Sequence, residues 1–397
     1  MKSRQHQSLQ SKTRLPMVAA LVETSLAPGR DILKGISDYA SQHGPWKLYL
    51  TPQHINTPPP DWFSAWQGDG IIVRLHDSHS AKAVADKNVP VVDVLGISTR
   101  HNYPVVHTDN NAIGRLAAEH FRQRGFVNFA YVGLSDENWS CERQVAFRER
   151  LQEEGFDSFA MLWRERSEKR ISFMNRVQQL AAWLETLPLP LAVFVCDDLR
   201  TLVVRDAVQQ IGLTVGGDVA LLGVGNDSLI CNLFAPALSS IDANHYRVGY
   251  EAAALLAHLM KGGNSEPRRI MLPPREVVTR ESTDFVAIGD EALRRALTFI
   301  RDNATRSIGL RDVVEVAQVS RSVIQRRFRK HLNRSIHQCI AEERARRAIL
   351  MLRETGDSIE NIALAVGFQY AQSLNKTLRA LYGRSAGDYR SRSTVPL

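Results

Sequence analysis

The sequence predicts an α/β domain of two lobes followed by an all-α domain. Three observations predict it. Short apolar runs alternate with amphipathic stretches from residue 15 to about 275, no strand signal follows residue 290, and the basic excess is confined to the helical end. Residues 289–397 hold 20 Lys and Arg against 11 Asp and Glu, while the 288 residues before them hold 30 against 31. A neutral body carrying a basic module is the charge layout of a nucleic-acid-binding protein. Hydrophobic content of 44% and charged content of 23% are those of an ordinary globular chain. Cys141, Cys196, Cys231 and Cys339 are scattered without CxxC or metal-ligand spacing and read as reduced thiols packed as small hydrophobes. No apolar run reaches the ~18 residues of a membrane span. LPMVAALV near the start reads as a buried strand, since no signal cleavage site follows it. A cytoplasmic protein with no membrane partner is expected.

The elements follow in order. Residues 1–14 form a polar tail. Met17–Val22 reads as a strand, Gly29–Gln42 as a helix, Lys47–Leu50 as a strand, and TPPP (57–60) as a loop. Gly70–Arg74 and Val89–Leu95 read as strands around a helix near Ser80–Lys87. Helices are expected at Asn111–Gln123, Cys141–Glu154, Arg176–Leu187, Leu199–Ile211 and Tyr246–Lys261, with strands at Phe129–Gly133, Ala192–Cys196 and Val219–Val224. Continuous β-rich runs between helices imply parallel strands covered on both faces, hence two doubly wound lobes with a cleft between them. Residues 15–275 form this domain, 276–288 a linker, and 289–397 the helical domain.

The helical domain contains a repeat. IGLRDVVEVAQVSRSVIQRRFRKHLN (308–333) and SIENIALAVGFQYAQSLNKTLRALYG (358–383) match at Leu310/Ile359, Val313/Ile362, Ala317/Val366, Ile324/Leu374 and Phe328/Leu378, with one extra residue in the second copy. Each copy is a short apolar helix, a turn holding Gln318 or Gly367, and a longer helix. That is helix-turn-helix grammar, at 310–332 and 359–382. The helix 335–355 between them spans roughly 30 Å, close to the ~34 Å separating successive major grooves on one DNA face. Ile324, Phe328 and Leu332 form an i, i+4, i+8 stripe that seats the first reading helix. Arg321, Ser322, Gln325, Arg326, Arg329 and Lys330 lie on or near its opposite face. Gln369, Gln372, Ser373, Asn375, Lys376 and Arg379 match them in the second copy. Arg suits guanine, Gln suits adenine, and flanking cations suit phosphates.

These last ~110 residues resemble the double helix-turn-helix of AraC/XylS-family regulators, on the stretch IENIALAVGFQYAQSLNKTLRALYGRSAGDYR. Ser385-Ala386 stands where that family has Thr-Pro, and Gln318 and Asn333 replace glycines of its first copy. VHTDNNAIGRLAAEHFRQRGFVNFAYVG, CERQVAFRERL, AVFVCDDL, GDVALLGVGND and PALSSIDANHYRVGYEAAALL resemble the effector domain of LacI/GalR regulators, a periplasmic-binding-protein-like fold. The order, effector domain first and DNA module last, resembles the family of xylose operon regulators. The resemblance implies an activator responding to a pentose such as xylose, a homodimer on promoter DNA, and RNA polymerase as a partner.

Carried over one at a time, the resemblance places ligand contacts at Arg143 and Asp197. Asn226 follows Gly225, which stands where the family has Asp; Ala243 stands where it often has Gln. Glu23 and Arg74, at first-lobe strand ends, are further candidates, with an interlobe ion pair or a solvated loop charge as the alternative. HDSHS (76–80) sets His76, Asp77 and His79 close together, but a metal site needs further ligands, so it reads as a polar loop. Asp197–Asp198 lacks a partner nucleophile or a phosphate-binding loop. No catalytic residue, cofactor or metal is expected, and the chain is not read as an enzyme. The alternative is a sugar-binding or sugar-active protein whose basic tail is not a sequence-specific DNA reader.

Overall fold

The computed structural model describes residues 14–391 except 53, 55–56, 76–77, 96–101, 165–171, 234, 265–268, 285–289 and 333. The chain divides into two compact units, Met1–Val286 and Ala287–Leu397.

The first lobe is built from β1 (Met17–Leu21), α1 (Ala27–His43), β2 (Lys47–Tyr49), α2 (Asp61–Ala65), β3 (Gly70–Val73), α3 (Ser78–Ala85), β4 (Val91–Asp93) and β5 (Val105–Thr108). The second follows with α4 (Asn110–Gln123), β6 (Asn128–Leu134), α5 (Asn138–Gln152), β7 (Ser158–Trp163), α6 (Phe173–Leu184), β8 (Leu191–Val195), α7 (Asp198–Gln210), β9 (Val219–Val224), α8 (Ser228–Leu233) and β10 (Ser239–Asp242). The chain returns to the first lobe through α9 (His245–Met260) and β11 (Arg269–Leu272), then adds β12 (Glu276–Val278) to the second. The sheets run β11-β5-β4-β3-β1-β2 and β12-β10-β9-β8-β6-β7, and their strands are parallel except for β12 against β10. Strands β3, β8 and β9 are buried at every residue because helices cover both faces, which is why they read as unbroken apolar runs.

Helix α9 docks on the first lobe by lying against α1. A Cβ on Gly35 would stand 2.1 Å from the Tyr246 carbonyl oxygen, and one on Gly249 1.9 Å from that of Ile32. Only glycine permits this approach. Tyr246 Oη donates to Asp38 Oδ2 at 3.0 Å across the same seam. The chain therefore crosses between lobes three times, and the crossings are tied together. Asp109 N donates to Leu272 O at 2.7 Å, and Arg275 N to Asp242 O at 2.9 Å.

Two expectations need correction. Strands β5, β7, β10 and β11 were not expected, being short or, in β7, an edge strand with exposed Phe159 and Leu162 that breaks the apolar run. The stretch 276–288 is not all linker. Val277 and Val278 pair with β10, and Ser282 and Thr283 are fully buried, with Thr283 Oγ1 donating to Ser239 Oγ at 2.7 Å. This segment holds itself by hydrogen bonds rather than apolar bulk, so hydropathy misses it.

The second unit contains α10 (Glu291–Asn303), α11 (Leu310–Ala317), α12 (Arg321–Leu332), α13 (Ile336–Glu354), α14 (Ile359–Ala365), α15 (Ala371–Tyr382) and α16 (Ala386–Ser391). It has two cores. Helices α10 to α12 close on Ile336 and Ile340 of α13, whereas α14 to α16 close on Ala345, Ala348 and Leu352 of the same helix. Asp290, Ser335 and Ser358 cap α10, α13 and α14. The two turns use left-handed residues, Gln318 at φ 55° and Gly367 at φ 93°. Glycine carries that conformation without strain; glutamine does not. Asn333 lies outside the described residues. Gln318→Gly is expected to stabilise the helical unit by about 1 kcal/mol. Gly367→Ala should destabilise it, because the new Cβ would stand 3.0 Å from Ala304 O as well as in a strained backbone. Unfolding followed by far-UV circular dichroism checks both.

Candidate DNA-reading face and effector cleft

On α12, Ile324 and Phe328 are fully buried, and Leu332 packs against the same core. Arg321, Ser322, Gln325, Arg326, Arg329 and Lys330 are all exposed. None of these cations makes an ion pair among the described residues. Arg327, one step round the helix, is turned away from this face, with its guanidinium 2.5 Å from Asp290. On α15 the stripe is Leu374 and Leu378, both fully buried, while Gln372, Ser373, Lys376, Arg379 and the preceding Gln369 are exposed. Asn375 departs from the expected set. It is half-buried, and its Oδ1 accepts from Ala386 N at 2.9 Å, so it fixes the start of α16. A groove of about 550 Å³ runs between α15 and the start of α16, lined by Gln372, Asn375, Lys376, Arg379, Ser385 and Gly387.

In the first unit, polar groups gather where the lobes meet. Glu23 follows β1 and Arg74 follows β3. They form an ion pair within the first lobe, rather than between lobes, with side chains only 2% and 12% exposed. Glu23 Oε2 and Arg74 Nε are nonetheless buried without a partner. His107, on β5, stands with them. Its Nδ1 lies 3.2 Å from Val94 O, so this nitrogen carries the proton and Nε2 presents a bare lone pair. That Nε2 is also buried and unpartnered. Burial, with Arg74 and Arg143 adding to it, pushes the His107 pKa down to about 3. His245, the first residue of α9, is held neutral by burial and by the same two arginines. Arg74 from one lobe and Arg143 from the other thus act on the same pair of imidazoles.

Arg143 projects from α5 and is 5% exposed. It donates from Nε to Asn110 Oδ1 at 3.0 Å and from Nη1 to Cys196 O at 2.5 Å, and its guanidinium lies 4.9 Å from the Trp139 ring centre. Asp197 caps α7 by accepting from Arg200 N at 2.9 Å and also pairs with the Arg200 side chain. Asn226 departs from the ligand-facing set. Its Oδ1 accepts from Arg280 at 2.8 Å and its N–H donates to Ser240 Oγ, tying it into the second lobe. The neighbouring Gly225 (φ 127°) and Gly223 have a structural reason. A Cβ on Gly223 would stand 2.2 Å from Asp198 Oδ1, and one on Gly225 3.3 Å from Oδ2. The buried Asp198 fills that space. It accepts from Ser240 Oγ at 2.6 Å and Asp227 N at 2.8 Å, and burial lifts its pKa to about 7. His107 and His245 were missed by sequence reasoning; both sit beside interlobe crossings, which is the signal that marks them. His76 and Asp77 lie outside the described residues, and no metal-binding cluster occurs among the described ones.

Three family models match in succession: a XylR N-terminal domain over residues 17–111, a periplasmic binding protein-like domain over 118–283, and a helix-turn-helix domain over 313–392. The xylose operon regulatory protein of Escherichia coli K12 is 29% identical, over 95% of this chain and 97% of its own. That of Haemophilus influenzae is 27% identical, over 94% and 97%. A solved structure described as the xylose-binding transcription activator xylR superposes with a TM-score of 0.78 at 27% identity, covering 96% of this chain and 99% of its own. The chain is a homologue of the xylose operon regulators. It is a transcription regulator whose effector domain precedes a double helix-turn-helix DNA-binding domain.

A pH dependence follows from the cleft. The unfolded His107 protonates near the ordinary histidine value of 6.5, the folded one only near 3. The folded state therefore binds fewer protons in that window, and stability falls as pH drops through it. His107→Gln is expected to flatten the loss of melting temperature between pH 6.5 and 5, read by differential scanning fluorimetry.

Proposed function

We propose that this regulator responds to a sugar, a pentose such as xylose, bound in the cleft of the first unit. The observation that supports this most directly is the set of buried polar atoms without partners at the ends of β1, β3 and β5: Glu23 Oε2, Arg74 Nε and His107 Nε2. Strand ends facing a cleft are where α/β folds take ligands. An orphaned buried donor or acceptor costs about 1–3 kcal/mol, and sugar hydroxyls, each able to donate and accept, would relieve all three. Arg143, Asp197, Glu23, Arg74 and His107 are the proposed contacts. Binding would favour one lobe arrangement over another, typically by about 1–3 kcal/mol.

The output is proposed to be activation: a homodimer, working in the cytoplasm, docks its reading helices on promoter DNA and recruits RNA polymerase. Arg321, Ser322, Gln325, Arg326, Arg329 and Lys330 of the first copy, with Gln369, Gln372, Ser373, Lys376 and Arg379 of the second, supply the DNA contacts. No catalytic step is assigned, and the relatives are transcription regulators rather than enzymes.

A melting screen over pentoses and hexoses tests the effector. Ligand at ~100 times Kd should add about 2.7 kcal/mol. Arg143→Ala should abolish the shift; no response to any sugar would refute the reading. On the DNA side, Arg326→Ala should cost about 1–3 kcal/mol and relax specificity at one position. Lys330→Ala should weaken binding uniformly and reduce the salt slope by about one. Fluorescence anisotropy across a salt series separates the two.

A further inference from the structure

The second reading helix begins on an unusual residue. Helices α10, α13 and α14 start on Asp290, Ser335 and Ser358, whose side chains accept from the first free backbone N–H groups. Helix α15 starts on Tyr370, in extended backbone at φ −144° and ψ 146°, with no side-chain cap. Tyrosine cannot fold back to accept those hydrogen bonds as Ser, Thr, Asp or Asn do. The ring is not buried in compensation. Tyr370 is 67% exposed, more than any other exposed large apolar or aromatic side chain among the described residues. The fold therefore gains neither a cap nor apolar burial from this tyrosine.

Its surroundings explain what else it offers. Tyr370 sits at the leading end of α15, beside the exposed Gln369, Gln372 and Ser373, with the exposed Lys376 six residues further on. A phenol at the edge of a groove-binding helix can donate its O–H to a phosphate oxygen and lay its ring on a sugar. An aromatic side chain loses little conformational freedom in such a contact, which is why aromatic residues are enriched where surfaces dock. The first copy has Ser320 at the corresponding helix start, so the two reading helices differ at this position.

We propose that Tyr370 is a DNA-contacting residue of the second reading helix, its hydroxyl donating to a backbone phosphate and its ring packing on the adjoining sugar. This rests on α15 being a DNA-reading helix. The probe is a duplex enriched from a random library by the unmodified full-length chain. Tyr370→Ser restores a capping side chain, so its melting temperature should equal or exceed that of the parent, while affinity for the duplex falls by about tenfold. Tyr370→Phe keeps the ring and should lose about threefold. Because the phenol is neutral, both variants should keep the parental slope of log affinity against log salt, whereas Lys376→Ala should reduce that slope by about 0.9. Parental affinity in Tyr370→Ser, or an affinity loss that tracks a fall in melting temperature, would overturn the proposal. Failure of the parent to enrich any duplex would overturn the DNA reading of α15 and the tyrosine contact with it.

Discussion

The contact between α1 and α9 through Gly35 and Gly249 is the constraint on which the effector domain rests. Because the two backbones touch there, α9 belongs to the first lobe although the strand before it belongs to the second. The chain must then cross between lobes at 108–110, 242–245 and 272–276, and the crossings hydrogen-bond to one another. Two lobes joined by three tied segments can change their opening without losing their pairing. The cleft they enclose brings Arg74 and Arg143, from different lobes, onto the same histidines. A side chain at either glycine would separate the helices and remove that convergence.

The site chemistry follows from which polar groups have partners. Asn226 and Asn375 both read as contact residues by position, yet each holds a piece of the fold: a loop and a terminal helix. Glu23, Arg74 and His107 keep an unmatched atom each despite being buried. Buried polar atoms are rarely left so, and their gathering at strand ends is what separates a ligand site from a set of structural hydrogen bonds. Asp198 shows the opposite case. It is buried and carries a raised pKa, but its oxygens are occupied and its place beneath two glycines is structural.

Much of this was legible in the sequence. Long apolar runs gave the central strands, because full burial on both faces leaves a continuous signal. The internal repeat, with its i, i+4, i+8 stripe, gave both reading helices and the side of each that faces outward. The short strands were not legible, since three or four residues carry no period. Nor was the segment 276–283, whose attachment runs through serine and threonine hydroxyls. His107 and His245 escaped because their roles arise from distant chain segments meeting, which spacing along the sequence does not encode. The hold of Asn375 on Ala386 escaped for a related reason: the two lie on different helices.

Helix α13 contributes Ile336 and Ile340 to one core and Ala345, Ala348 and Leu352 to the other. The boundary between the two falls within a single stretch of continuous helix. Each half of the helical unit thus has an interior of its own, and beyond the shared helix the two meet where Gly367 stands against the Ala304 and Thr305 carbonyl oxygens. The exposed faces of α12 and α15 sit on different cores and can therefore change separately under selection, while the spacing between the cores stays fixed by the helix they share.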